Sequence, residues 1–272
     1  TILSAYPKRP YVALTGPSGS GKTTTAMRLK AYLENLGVPV CLLSMDNFFL
    51  SLADRPKELT DWESPLCVNW TELCRCMEAL SNGETAQVPW YDFAGGKTGG
   101  YRPVQGSREA IILVEGIHML NPIIFDRIRD RATGIYVAPR TRIITGDDRI
   151  VRPEQIRVAR RMIRDYRGRG NSLRTTVERA QDVDRGEVQY IAPNKPNASV
   201  HIDTFHDYEL CILAKYLREL PEFADALDDA FVEAHGLGVL MQVVRELPPL
   251  DTPFVPRDSI VREFVGGSCF EY

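Results

Sequence analysis

Residues Gly16-Pro17-Ser18-Gly19-Ser20-Gly21-Lys22-Thr23 fill the pattern G-x-x-x-x-G-K-T without a gap. An apolar run, Tyr11–Thr15, ends just before it, and Ala26, Leu29, Leu33 and Leu36 recur at helical spacing just after it. A strand, a glycine-rich turn and a helix in this order form a phosphate-binding loop. Glycines let successive amide N–H groups converge on one anion, and the helix N-terminus adds a partial positive charge. Lys22 reaches the outer phosphates of a bound nucleotide, and Thr23 offers a hydroxyl to Mg²⁺. Gly16, Ser18, Gly19, Ser20, Gly21, Lys22, Thr23 and the following Thr24 are the candidate nucleotide-binding residues. The pattern specifies nucleotide binding and leaves the reaction open.

The rest of the chain extends the same alternation. Strands are expected at Tyr11–Thr15, Val38–Met45, Ile111–Glu115, Ile135–Ala138 and Ser199–Asp203, with helical patterns between them such as Trp70, Leu73, Met77 and Leu80. Near-continuous apolar strands alternating with helices predict an α/β fold, a P-loop NTPase-type parallel β-sheet flanked by helices. Asp92 to Gln105, rich in glycine, reads as a loop or hairpin. The acidic, amphipathic stretch from Leu220 to Leu247, with Phe223, Leu227, Phe231 and Ala234 on one face, predicts a helical pair. Residues 1–272 are expected to form a single kinase-sized domain, with a lid over about 149–175 and a C-terminal helical extension over about 219–272.

Composition narrows the partners. With 44% hydrophobic and 25% charged residues the chain is that of a folded globular protein, and a formal charge of −3 disfavours bulk nucleic-acid binding. No apolar run reaches the ~18 residues of a membrane span. The six cysteines form no CxxC pair, which suits reduced thiols and a cytoplasmic setting. The chain opens at Thr1 rather than Met, so a preceding segment is expected.

Two strands end in carboxylates. Asp46 follows the second and could deprotonate an attacking hydroxyl, help hold Mg²⁺, or cap the next helix. Glu115 closes the third, where an acid at the end of a buried strand calls for a partner or a metal. His118, His201, His206 and His235 show no ligand spacing.

Seven arginines crowd Arg152 to Arg169. Ile156, Ala159, Ile163 and Tyr166 form one face of the predicted helix, and Arg157, Arg160, Arg161 and Arg164 form another. Guanidiniums facing one way suit a polyanion. A nucleotide lid, an RNA-binding face and an ordinary solvated face are the three readings.

Taken together, the segments GPSGSGKTT, SMDNFF, DWESP, VPWYDF, VEGI, RRMIRD and RGEVQYI, spread over Tyr11 to Leu217, resemble the uridine kinase and phosphoribulokinase family of P-loop kinases. RGEVQYI and the ending Val255–Gly267 resemble a nucleoside kinase subgroup often fused behind a threonyl-tRNA-synthetase-like domain. The resemblance implies transfer of the ATP γ-phosphoryl group to the 5′-hydroxyl of a nucleoside, with Mg²⁺. It implies Asp46 as the catalytic acid-base, Glu115 with Thr23 and Asp46 on the Mg²⁺ side, and Arg161 and Arg164 as lid arginines beside Lys22. Glu63 stands where uridine kinases carry an Asp on the ribose hydroxyls, Tyr91 matches a ring packed on the base, and Arg169 follows the lid helix. Departures are Phe49 for a usual Tyr, Gly96 where a base-reading His is expected, and Asn171 and Arg179 at lid-side positions. The alternatives are a kinase for another small alcohol, such as pantothenate or a sugar phosphate, and a non-catalytic ATP-binding regulatory module. A small-molecule acceptor, no nucleic acid, no membrane and a homo-oligomeric assembly complete the expectations.

Overall fold

Five consecutive residues, Tyr11–Thr15, are buried on both faces and form β1, the middle strand of a sheet in the computed structural model, which describes residues 1–93, 95–221, 223 and 227–272. A strand buried on both sides has no polar face, which is why its sequence is a continuous apolar run. In chain order the elements are α1 (Ile2–Ala5), β1, α2 (Lys22–Asn35), β2 (Val40–Ser44), α3 (Trp70–Ser81), β3 (Thr85–Asp92), β4 (Lys97–Gln105), β5 (Ile111–Glu115), α4 (Pro122–Ile128) and β6 (Ala132–Ala138). Then come β7 (Ile143–Ile144), β8 (Ile150–Val151), α5 (Pro153–Arg169), α6 (Leu173–Glu178), α7 (Ala180–Gly186), β9 (Val200–Asp203), α8 (Glu209–Arg218), α9 (Asp229–Ala234), α10 (Gly238–Glu246) and α11 (Val261–Val265). The main sheet runs β2-β5-β1-β6-β9. β1 lies parallel between β5 and β6, with Leu14 opposite Glu115 and Thr15 opposite Tyr136, and β2 runs parallel to β5.

The chain divides into two compact units, residues 1–16, 25–136 and 186–201 in the first and 17–24, 137–185 and 202–272 in the second. The first unit holds β1, β2 and β5, with α3 presenting Leu73, Met77 and Leu80 as its buried stripe. Asn69 starts α3 by accepting the Glu72 N–H at 3.1 Å, and Asn121 does the same for α4. The second unit packs α5 on α8 and α11, and α8 on α10, with Ile156, Ile163, Leu213, Leu217, Val244 and Phe264 in one core.

β1 and β5 have the predicted bounds. β2 is shorter, because Pro39 precedes it and Met45 opens a 3-10 turn; β6 begins earlier, at Ala132. The glycine-rich stretch is the second strand of the antiparallel hairpin β3–β4. A helical pair, α9 and α10, does occupy the acidic stretch, part of which lies outside the described residues. Leu227 and Phe231 are buried as expected, but Ala234 is exposed and Val232 faces inward, because α9 has only six residues before Gly236 turns the chain. Among the described residues no helix is long and apolar enough to cross a membrane.

Candidate active site

In the second unit the phosphate loop rests on α5. Three consecutive loop carbonyls take side-chain donors: Arg157 Nη1 on Ser18 O at 3.2 Å, Arg160 Nη1 on Gly19 O at 3.0 Å and Thr204 Oγ1 on Ser20 O at 2.7 Å. In a trans peptide the following N–H points opposite to the carbonyl, so the amides of Gly19, Ser20 and Gly21 turn away from these donors. The Ser20 amide folds back on Pro17 O at 3.2 Å, which also accepts from Lys22 Nζ at 3.1 Å. Gly19 and Gly21, at φ 75° and 82°, adopt left-handed conformations that glycine takes without strain. Lys22 and Thr23 are half-buried, whereas Thr24 is completely enclosed.

The arginine-rich face of α5 is internal. Arg157, Arg160 and Arg161 are 3%, 0% and 6% exposed. Sequence proximity offers only Glu154 and Asp165 as counter-charges, but the structure brings others from far along the chain. Arg160 pairs with Glu209 and donates to Thr204 O at 2.8 Å, and Arg157 Nη2 lies 3.5 Å from Asp184. The stem of Arg161 runs along the loop, where a Cβ built on Gly19 would stand 3.1 Å from its Cγ. Arg164 bonds Asp165 through Nε at 2.9 Å, and the exposed Arg169 lies 3.6 Å from the same carboxylate. Neither an RNA-binding nor a solvated face fits this burial.

The first unit carries Gly16 at the end of β1 and both candidate carboxylates. Ser44 and Glu115 are opposite one another where β2 and β5 end, and Ser44 Oγ donates to Glu115 Oε1 at 2.7 Å. Glu115 is buried. Asp46 lies inside the 3-10 turn Met45–Phe48, whose N-cap is Ser44, so Asp46 does not fill the capping position. That turn is tied to the hairpin, since Asn47 Oδ1 accepts the Tyr91 N–H at 3.3 Å.

Beside it, Phe49, Tyr91 and Phe93 form a cluster of edge-on rings with centroids 5.0–6.3 Å apart. Tyr91 is buried and its hydroxyl donates to Leu50 O at 3.4 Å, whereas Phe93 is 62% exposed. Arg55 donates to the same carbonyl through Nε at 3.1 Å and stacks on Trp62 at 4.4 Å. Glu63 sits beside Gly186, where a Cβ would come 2.4 Å from the Glu63 Cβ. Tyr190, on the π-helical turn Glu187–Ile191, lies beside Asp61, whose carboxylate raises the phenol above its ordinary pKa. The segments RGEVQYI and DWESP are therefore packed together. Sequence reasoning placed Arg160 on the basic face but missed its partners Thr204 and Glu209, and it missed Arg55 and Tyr190; a lone side chain carries no signal until the chain folds its partner against it.

Among the described residues no group of three His, Cys, Asp or Glu side chains forms a metal cluster. Mg²⁺ commonly takes one or two carboxylates, with water and substrate phosphates as its other ligands. Asp46 and the buried Glu115 are hard oxygen donors of that kind.

Comparisons with known proteins agree with this frame. A family model described as "Phosphoribulokinase / Uridine kinase family" matches residues 11–210. The chain is similar to a uridine kinase of Brevibacillus brevis, 29% identical over 197 residues, which cover 70% of this chain and 83% of that one. A uridine kinase of Borrelia turicatae is 27% identical over 214 residues, covering 77% and 94%. Among solved structures, a Silicibacter sp. TM1040 protein described as a fructose transport system kinase superposes with a TM-score of 0.56 at 22% identity, over 74% of this chain and 95% of that one, a likeness of fold.

Proposed function

This chain belongs to the phosphoribulokinase and uridine kinase family and is an ATP-dependent kinase acting on a small molecule, and we propose that its acceptor is the 5′-hydroxyl of a nucleoside. The observation that carries this reading is the Phe49, Tyr91 and Phe93 cluster, joined to the turn of Asp46 through the Tyr91–Asn47 hydrogen bond. A planar base gains offset or edge contacts on such rings. A sugar phosphate or an aliphatic alcohol gains less from such rings, having no aromatic face of its own to set against them. The uridine kinases among the relatives point the same way.

In this reading Asp46 accepts the proton of the 5′-hydroxyl, and Glu63 holds the ribose hydroxyls. Phe49 and Tyr91 pack on the base, and Arg169 contributes from the end of the lid helix. Lys22 places its ammonium on the outer phosphates, within the loop formed by Gly16 and Ser18 to Thr24. Arg161 and Arg164 spread positive charge over the transferring group and exclude water. Thr23, Asp46 and Glu115 would hold Mg²⁺, which supplies charge neutralisation for the phosphates. Most of the rate enhancement then comes from positioning and fixed charge.

The test is an acceptor panel read by ATP consumption: pyrimidine and purine nucleosides, a 2′,3′-dideoxy analogue, pantothenate and sugar phosphates. Uridine or cytidine should react ahead of purines, and the dideoxy analogue should react poorly. Turnover confined to pantothenate or a sugar phosphate would replace the nucleoside reading.

A further inference from the structure

The segment from Ser259 to Tyr272 lies beyond the residues 11–210 that the family model matches, and none of the roles above falls on it. Within the second unit it meets the phosphate loop at two points and, at a third, the arginine that holds the loop from α5. Ile260 stands over Gly21, where a Cβ would come 2.5 Å from its Cγ2. Glu263 Oε2 accepts from Thr24 Oγ1 at 2.6 Å and from the Thr24 N–H at 3.4 Å. The Phe264 ring lies 5.3 Å from the Arg160 guanidinium. Residues 260, 263 and 264 share one side of a helical turn, so a single short element delivers all three contacts. Arg167 fastens the next residue by donating to Val265 O, and Tyr208 and Ser259 hydroxyls lie 2.9 Å apart at its start.

Thr24 is the focus. Its hydroxyl donates to Glu263 and lies 2.9 Å from the Tyr272 hydroxyl, which is 3.1 Å from Ser268 Oγ. A hydroxyl has one proton, so with that proton on Glu263 the Tyr272 contact is a bond that Thr24 accepts. Both functions of the side chain are used and its rotamer is fixed. Thr24 lies in the first turn of α2, immediately after Lys22 and Thr23, so fixing it fixes the helix end that faces the phosphates.

We propose that Glu263, assisted by Tyr272, is a positioning residue for nucleotide binding that acts through Thr24. A carboxylate so close to a phosphate-binding loop could instead compete with the nucleotide for the Thr24 amide. The distances argue otherwise, because the short bond is to the hydroxyl and the amide contact is long. Ile260 and Phe264 are also buried in the core, so the segment is a wedged wall and not a side chain free to withdraw. The proposal rests on the phosphate-loop reading and is independent of the acceptor.

The experiment uses the full chain and ADP, which needs no acceptor. Calorimetric titration compares wild type with Glu263→Gln, Tyr272→Phe, Thr24→Val and the double variant Thr24→Val/Glu263→Gln, alongside KM for ATP and kcat. Glu263→Gln should weaken ADP binding roughly fivefold to tenfold, the scale of one charge-assisted hydrogen bond partly transmitted, with kcat within about twofold. In the Thr24→Val background it should add no further loss, because its route is gone. If Glu263→Gln fails to fold, Tyr272→Phe, which removes one hydroxyl from a surface residue, should still weaken ADP about twofold. Tighter or unchanged ADP binding in Glu263→Gln, or an equal loss in both backgrounds, would overturn the proposal. Wild-type protein that does not bind ADP would overturn the phosphate-loop reading itself.

Discussion

Arg160 and Glu209 form an ion pair in which neither side chain has any exposure to solvent. The same guanidinium donates to Gly19 O at 3.0 Å and to Thr204 O at 2.8 Å, so the charge is enclosed but fully engaged. Its place under the phosphate loop makes the pair a link between α5 and the loop backbone. Removing one partner leaves the other charge buried alone. Arg160→Met should therefore lower the stability measured by urea denaturation by about 3–5 kcal/mol. Arg160→Met/Glu209→Leu should recover part of that loss while KM for ATP stays raised, because no donor remains for Gly19 O. Stability of Arg160→Met within about 1 kcal/mol of wild type would show that the pair does not hold this region.

Lys22→Ala should reduce turnover with every acceptor by about 10²-fold or more, judged by the loss of comparable electrostatic stabilisers. Thermal denaturation should change much less than turnover, since Lys22 is half-buried and no part of the hydrophobic core. Turnover within a few-fold of wild type would remove Lys22 from the phosphate site.

Much of this was legible because burial on both faces writes itself into the sequence. β1 and β5 are continuous apolar runs, and their bounds follow from Tyr11–Thr15 and Ile111–Glu115 directly. The β3–β4 hairpin was harder to see. Four glycines between Asp92 and Gln105 point to a turn, but only Gly95 and Gly96 precede β4, and Trp90 stands opposite Gly100 across the ladder. The arginines of α5 were visible as a cluster but not as a buried one, because Glu209 lies 49 residues from Arg160 along the chain. Glu263 on Thr24, 239 residues apart, had no local sign at all. Tertiary pairing of polar groups leaves no period to read.

The ring cluster predicts a split between the two kinetic constants. Phe93 is exposed and its removal opens no cavity, so Phe93→Ala should raise KM for the nucleoside roughly tenfold, the scale of one to two lost ring contacts, with kcat nearly unchanged. Tyr91→Phe, which loses only the 3.4 Å bond to Leu50 O, should be close to wild type. Steady-state kinetics with uridine as the varied substrate would check both. An unchanged KM in Phe93→Ala would take the base away from these rings.

Asp46→Asn separates chemistry from architecture. Ser44 is the N-cap of the turn, and Asn is a fair replacement in its first turn, so folding and ADP affinity should be kept. A catalytic base is lost all the same, and kcat should fall roughly 10²–10⁴-fold. Single-turnover measurements with saturating ATP would isolate that step. A fully active Asn variant would assign the proton to another group.

Arg161→Lys tests whether the charge on α5 acts as a shaped clamp. Arg161 and Arg164 are three residues apart, so they are neighbours on the helix surface and can approach one anion together. A planar guanidinium binds two phosphate oxygens through parallel hydrogen bonds, which an ammonium cannot reproduce. If the two arginines hold the transferring phosphoryl group, Arg161→Lys should lower kcat by about tenfold or more although the charge is unchanged. ADP affinity should suffer less, because the clamp engages fully only as charge redistributes in the transition state. An RNA-binding face predicts the reverse, since Lys serves almost as well as Arg toward a phosphate backbone and binding would fall steeply with salt. The burial of Arg157, Arg160 and Arg161 already denies an extended RNA strand access to most of that face. Kinetics of Arg161→Lys at fixed salt, beside a filter-binding titration with a generic RNA, decide the matter. An unchanged kcat together with tight, salt-sensitive RNA binding would reassign the helix.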